Sequence, residues 1–104
     1  MFPSIVAHTV LWNARDRRRA EIFVVEIEPG GPFSVFSYSG DPSHLPNRAK
    51  GQGPMESRDY AHFVMRSVER AMDRHGFSDV LSDAPVWRFF ALRQARQTAA
   101  RRRA

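Results

Sequence analysis

Arginine side chains are the groups in this sequence that are best suited to binding chemistry. The chain of 104 residues has sixteen basic residues against eleven acidic ones, and every basic residue except Lys50 is an arginine. A guanidinium group is planar and always charged, so it binds phosphates and carboxylates through paired hydrogen bonds. The formal net charge of +5 and the pI near 11.0 therefore indicate an anionic partner. A GC-rich genome, which also favours Ala, Gly and Pro, is the alternative explanation of the arginine bias.

The basic residues concentrate in three segments. Four arginines and one aspartate occupy residues 13–20, Arg48 and Lys50 lie among glycines, and six arginines follow residue 80. An aromatic ring beside such cations can stack on a base while the cations contact phosphates. The sequence predicts a nucleic-acid interface made of Trp12, Arg15, Arg17, Arg18, Arg19, Arg48, Lys50, Arg93, Arg96, Arg101, Arg102 and Arg103. The alternative for residues 13–20 is a solvated turn whose charges protect a strand end.

No segment of the sequence carries a catalytic or metal-binding signature. The four histidines have no metal-ligand spacing, and cysteine is absent. Neither a G-x-S-x-G nucleophile elbow nor a phosphate-binding glycine loop of known pattern occurs. We therefore predict no metal and no cofactor, and an enzyme receives less weight than a binding protein.

Residues 21–40 form the segment around which we expect the fold to be organised. They predict two β-strands joined by a turn at Pro29-Gly30-Gly31-Pro32. Side chains alternate along a strand, so Phe23, Val25 and Ile27 share one face, while both faces of the hairpin are partly apolar. An isolated hairpin is marginal in water, so this one needs further strands or helices to cover it.

The other elements follow from shorter signals. Residues 4–12 predict a first strand, and residues 39–56, which hold three prolines, predict a long irregular loop. Residues 57–75 predict a helix with Ser57 as its N-cap and Gly76 just beyond its end. The apolar stripe predicted to pack on the sheet includes Tyr60, Phe63, Val64, Val68, Ala71 and Met72. A second helix is predicted to begin near Ser82 or Asp83.

These elements predict an α+β fold. We expect a small antiparallel sheet of three or more strands, one long helix over residues 57–75 packed on it, and a C-terminal helix. Residues 1–98 are predicted to form a single domain, and residues 99–104 a basic tail that frays. No apolar run reaches membrane-spanning length and the first residues lack the pattern of a secretory signal, so we expect a cytoplasmic protein without membrane contact.

Part of this order resembles a known domain. Between residues 21 and 77 the succession strand, turn, strand, Gly-Gln loop and helix resembles the WGR domain of DNA-damage proteins, through Gly40, Gly51-Gln52 and the helix that begins at Ser57. The Trp-Gly-Arg tripeptide is absent, and Tyr38-Ser39-Gly40 stands in its place. No residue role is assigned from this resemblance.

Two functional hypotheses result. The first is a small basic protein that binds nucleic acid through phosphates, with little base specificity. The second is a protein–protein interaction module, such as a small regulator or inhibitor of the kind mobile elements encode, which uses its hairpin and aromatic surfaces against an acidic protein surface. Homodimerisation through a sheet edge or the aromatic C-terminal segment is a milder form of the second hypothesis.

Overall fold

A computed structural model describes residues 2–103 of the chain as a sheet with one helix on each face. The elements, in order, are β1 (Ser4–Asn13), β2 (Arg18–Glu26), β3 (Phe33–Gly40), β4 (Arg48–Met55), α1 (Arg58–Arg74), β5 (Asp79–Leu81) and α2 (Arg88–Arg103). Every strand pairs antiparallel with its neighbours, in the order β4-β3-β2-β1-β5. The predicted α+β class is confirmed, with five strands in the described sheet.

The β2–β3 hairpin lies at the centre of the fold, and its two faces explain the two helices. Phe23, Val25 and Ile27 pack under α2 with Trp87, whereas Ile22 and Val24 belong to the core under α1. All of these side chains are at most 2% exposed. Complete burial of each apolar side chain stabilises the fold by roughly 1.5–3 kcal/mol. A hairpin that is apolar on both sides therefore requires cover on both sides.

Helix α1 has the boundaries that the sequence predicts, but its buried face is rotated. The Ser57 hydroxyl accepts a hydrogen bond from the Tyr60 amide, and Gly76 follows the helix at a φ of +96°. The residues facing the sheet are Ala61 and Met65, with Val64, Val68 and Met72 beside them. Tyr60 and Phe63, predicted to pack on the sheet, are exposed instead. The prediction was wrong because two apolar stripes run side by side on this helix and only one meets the sheet.

Strand β4 replaces most of the loop predicted for residues 39–56. It pairs with β3 from Arg48 to Met55, so the irregular connection is confined to residues 41–47. Pro54 and the two glycines do not prevent pairing because β4 is an edge strand and needs only one of its sides for hydrogen bonding. The prediction failed because residues that disrupt a central strand are tolerated at an edge.

Helix α2 begins later and ends later than predicted. It starts at Arg88, five residues beyond Asp83, and continues to Arg103. Residues 99–103 are therefore helical rather than a frayed tail, while Ala104 lies outside the described residues. Ala91, Ala95 and Ala99 form a buried stripe that lets the helix approach the sheet closely, and Arg103 forms an ion pair of 3.0 Å with Glu28. Neither helix in residues 2–103 is long and apolar enough to cross a bilayer.

Tyr38 connects α2 to the third strand. Its side chain packs against Phe23 and Phe90, and its hydroxyl hydrogen-bonds to the Gln94 side chain. Burial raises the pKa of Tyr38 well above its usual range, because the interior does not stabilise a phenolate. Tyr38 is therefore part of the hydrophobic core under α2.

Candidate anion-binding groove

A groove of about 910 Å³ lies between the C-terminal half of α1 and the strands beneath it. Helix α1 begins three residues after the end of β4 and finishes over β1, where the Asn13 side chain donates a hydrogen bond to the His75 carbonyl oxygen. The helix thus crosses the sheet diagonally. This path leaves open the corner formed by the end of β3 and the start of β4.

The floor of the groove combines cations with hydroxyl groups. Arg48 pairs with Ser39 and Lys50 pairs with Ser37, so these four side chains project from the same face of the sheet. Ser37 also pairs with Ile22, which lies in the core under α1, and this identifies the face as the α1 side. Arg18, at the start of β2, completes the cationic floor.

The charges around the groove are mixed, with an excess of cations. Five cationic side chains and three carboxylates line it, which gives a formal balance of +2 without His75. They are Arg15, Arg18, Arg48, Lys50 and Arg74 against Asp16, Asp73 and Asp79. Arg15 lies 3.6 Å from Asp16, but no carboxylate of residues 2–103 forms a salt bridge with Arg18, Arg48 or Lys50. Arg74 also forms no salt bridge within residues 2–103, but it lies at the end of α1, so the three cations on the floor are the ones best placed to neutralise an anion.

A buried asparagine holds the turn end of the groove in place. Asn13 donates from Nδ2 to Asp16 and to the His75 carbonyl, and its Oδ1 accepts the Asp16 amide at 3.0 Å. Gly76 packs so closely on Asn13 that a Cβ at this position would lie 2.7 Å from the Asn13 Nδ2. The end of α1 and the β1–β2 turn are thereby fixed relative to each other, which defines the width of this part of the groove.

The groove has the chemistry of an anion site. Guanidinium, ammonium and serine hydroxyl groups are the usual protein partners of phosphate oxygens. Its volume lies within the ~300–1,000 Å³ range of ligand-binding clefts. In residues 2–103 no group of three or more histidines and carboxylates is arranged to hold a metal ion.

The structure brings together only some of the residues predicted for a nucleic-acid interface. Arg15, Arg18, Arg48 and Lys50 all line the groove, although they come from separate segments of the sequence. Arg17 lies in the exposed β1–β2 turn nearby, at a φ of +55°. The sequence did not identify Arg74, Ser37 or Ser39, which strand register and the diagonal path of α1 bring to the same groove.

The other predicted residues lie elsewhere. Trp12 pairs with Arg19, and both project from the α2 side of the sheet, so the indole ring is on the opposite face from Arg18. Helix α2 exposes Arg93, Arg96, Arg101, Arg102 and Arg103 on that same side of the molecule. Arg101 and Arg102 border a smaller hollow of about 460 Å³ between α2 and β4.

Arg19, which the sequence placed in the interface, is a buried residue held by partners inside the protein. Its Nε donates to Glu21 at 2.7 Å, and its guanidinium also contacts the Asp83 carboxylate and the Ala84 carbonyl. Glu21, fully buried, accepts the backbone amides of Val86 at 2.7 Å and Trp87 at 2.8 Å. This carboxylate, rather than Ser82 or Asp83, supplies hydrogen-bond acceptors where the chain enters α2. A surface partner cannot reach Arg19 without breaking this network.

Comparison with known proteins gives a family but no described relative. A family model described as "PA4575-like protein" matches residues 6–104. No curated protein and no solved structure matches the chain significantly.

Proposed function

The chain belongs to the PA4575-like protein family, and we propose that it binds nucleic acid by holding the phosphate backbone in the groove between α1 and β4. The observation that carries this proposal is the convergence of Arg18, Arg48 and Lys50 beside Ser37 and Ser39. The cations have no salt-bridge partner in the described part of the chain, so an anion would not have to displace a carboxylate from them.

Three features support a polymeric anion over a single small one. The groove is open along one side, and its turn end carries two further arginines, Arg15 and Arg74. Arg17 lies beside it in the exposed turn. Repeated phosphates can occupy cations that are spread over such a surface, whereas one phosphate group reaches only a few of them. The proposed setting is the cytoplasm, where nucleic acid is accessible.

The proposal predicts oligonucleotide binding that weakens steeply with salt. Nuclease-treated protein, washed in high salt, is titrated into fluorescent oligonucleotides from 50 to 300 mM salt. If Arg18, Arg48 and Lys50 each neutralise one phosphate, they alone contribute a slope of about −2 in log K against log salt for a single strand. Absence of oligonucleotide binding even at the lowest salt would contradict the proposal. Binding of an acidic polypeptide in the same assay would favour the protein-binding alternative.

A second candidate function, association with another protein chain, is favoured by the outer edge of β1. Strand β5 pairs only with residues 10–12 of β1, so residues 4–9 have no strand partner on that edge among the described residues. No Asp, Glu, Lys or Arg occurs in residues 4–9, and charged side chains are the usual protection of an exposed edge. This edge replaces the hairpin faces of the original hypothesis, because α1 and α2 cover those faces.

We propose that a second copy of the chain pairs with this edge. The antiparallel arrangement of two β1 strands would satisfy the backbone groups of residues 4–9 in both copies. Size-exclusion chromatography with light scattering at high micromolar concentration is expected to give the mass of a dimer. A monomer across the whole concentration range contradicts this proposal and leaves the groove proposal unaffected.

A further inference from the structure

We infer that the nucleic acid held in the groove is single-stranded, and that Tyr60 and Phe63 on α1 form the platform on which its bases stack. This inference rests on the proposed function, since it assigns the form of the ligand and a second contact surface to the same site. Two observations support it: the two aromatic side chains do not pack in the core, and they lie on the same helix that borders the groove.

The aromatic pair is exposed in a way that the fold does not require. Tyr60 and Phe63 are 56% and 57% exposed, and their rings stack on each other with centroids 6.1 Å apart and planes inclined by 22°. The core beneath α1 is formed by other residues of the helix, chiefly Ala61 and Met65. Two large rings held in contact at the surface offer a flat apolar area that suits the face of a base.

The position of the pair connects it with the groove. Tyr60, Val64, Ser67 and Ala71 recur at helical spacing and so form one stripe along α1. Ala71 lines the groove opposite the β4 cations. At 1.5 Å per residue Tyr60 lies about 16 Å and Phe63 about 12 Å along the helix from Ala71. A strand of a few nucleotides that starts on Lys50 and follows this flank of α1 therefore reaches both rings.

Stacking on this platform requires bases that are free of a duplex. In double-stranded nucleic acid the base faces are covered by neighbouring base pairs, and only the phosphates and groove edges are accessible. Proteins that bind single strands combine a cationic track for the backbone with aromatic side chains for the bases. The groove supplies the track, and Tyr60 and Phe63 supply the rings.

An abasic oligonucleotide separates the contribution of base stacking from that of phosphate contacts. A deoxythymidine oligomer of about twelve nucleotides, long enough for a single-strand site, is compared with an abasic oligomer of equal length and charge. The wild-type protein is expected to bind the thymidine oligomer about tenfold more tightly than the abasic one, and more tightly than a duplex of equal length. Equal affinity for thymidine and abasic oligomers would overturn the stacking inference while leaving the phosphate groove intact. No binding to either oligomer would overturn the proposed function itself.

Two variants test whether Tyr60 and Phe63 cause the preference for the thymidine oligomer. The Tyr60→Ser, Phe63→Ser double variant is expected to lose the tenfold preference and to keep its affinity for the abasic oligomer. Phe89→Ser is the matched control, because Phe89 is 62% exposed on α2, on the opposite side of the sheet. A double variant that retains the preference contradicts the assignment, as does a control that loses it. Circular dichroism establishes that both variants fold, and the wild-type comparison of oligomers stands without them.

Discussion

Replacement of Arg18, Arg48 and Lys50 by glutamine is expected to weaken oligonucleotide binding by about a hundredfold at 0.1 M salt. Each phosphate contact to a single strand contributes about 0.7 to the slope of log K against log salt. Removal of three contacts should therefore reduce the slope by about 2, which corresponds to a factor of about 100 at 0.1 M. Glutamine keeps the side chains polar, and these residues make no ion pair that the fold needs.

The matched control carries the same change of charge outside the groove. Arg88, Arg93 and Arg96 are exposed on α2, on the opposite side of the sheet from the groove and from Tyr60 and Phe63. Their replacement by glutamine is expected to change the affinity by less than about threefold, through the long-range field alone. Equal losses in the two triple variants would mean that binding depends on net charge and not on the groove. A larger loss from the Arg88→Gln, Arg93→Gln, Arg96→Gln variant would instead assign the interface to α2.

Replacement of Glu21 by alanine is expected to reduce the free energy of unfolding by about 3–5 kcal/mol. The carboxylate is fully buried and accepts hydrogen bonds from Arg19 and from the Val86 and Trp87 amides. Without it, the guanidinium of Arg19, a residue that is 6% exposed, keeps its contacts with Asp83 and Ala84, and two amides at the entrance to α2 lose their acceptor. Breaking a buried ion pair by removing one partner carries a cost of about this size. The midpoint of thermal unfolding should fall by roughly 15–25 °C.

Two further variants test this explanation. Glu21→Gln retains an acceptor oxygen but not the charge, so its effect should be smaller than that of the alanine variant. Glu56→Ala removes an exposed carboxylate and is expected to change stability by less than about 0.5 kcal/mol. Urea unfolding followed by circular dichroism measures all three. A loss below about 1 kcal/mol in Glu21→Ala would show that the network is not a principal support of the fold.

The parts of the fold that follow from local pattern could be predicted from the sequence. The alternation of apolar residues around Phe23 and Phe36 predicts a hairpin that needs cover on both faces, and Ser57 and Gly76 mark the limits of α1. The rotation of α1 about its axis could not be predicted, because the stripe containing Tyr60 and Ala71 is as continuous as the one that packs. Only the shape of the sheet decides which stripe is buried.

The candidate groove depends on information that local patterns do not carry. Arg18 and Lys50 are 32 positions apart in the sequence, and they meet because β3 pairs with both β2 and β4 in a particular register. Arg19 follows Arg18 directly in the sequence, yet its side chain points to the opposite face of the sheet, where it donates a hydrogen bond to Glu21. The strand predicted from the sequence begins after the basic segment. If it had begun at Arg18, side-chain alternation would have placed the two arginines on opposite faces of the sheet.

The position of α2 as the last described element has a consequence for how the chain is made. Phe23, Val25, Ile27 and Phe36 lie on the face that Trp87 and α2 cover. Trp87 and Ala99 enter this core more than fifty residues after Phe36. During synthesis the β2–β3 hairpin leaves the ribosome long before its cover exists. A nascent chain therefore exposes an apolar β-sheet face until α2 emerges, and chaperone binding during translation would protect this face. A chain truncated before Trp87 is expected to aggregate for the same reason.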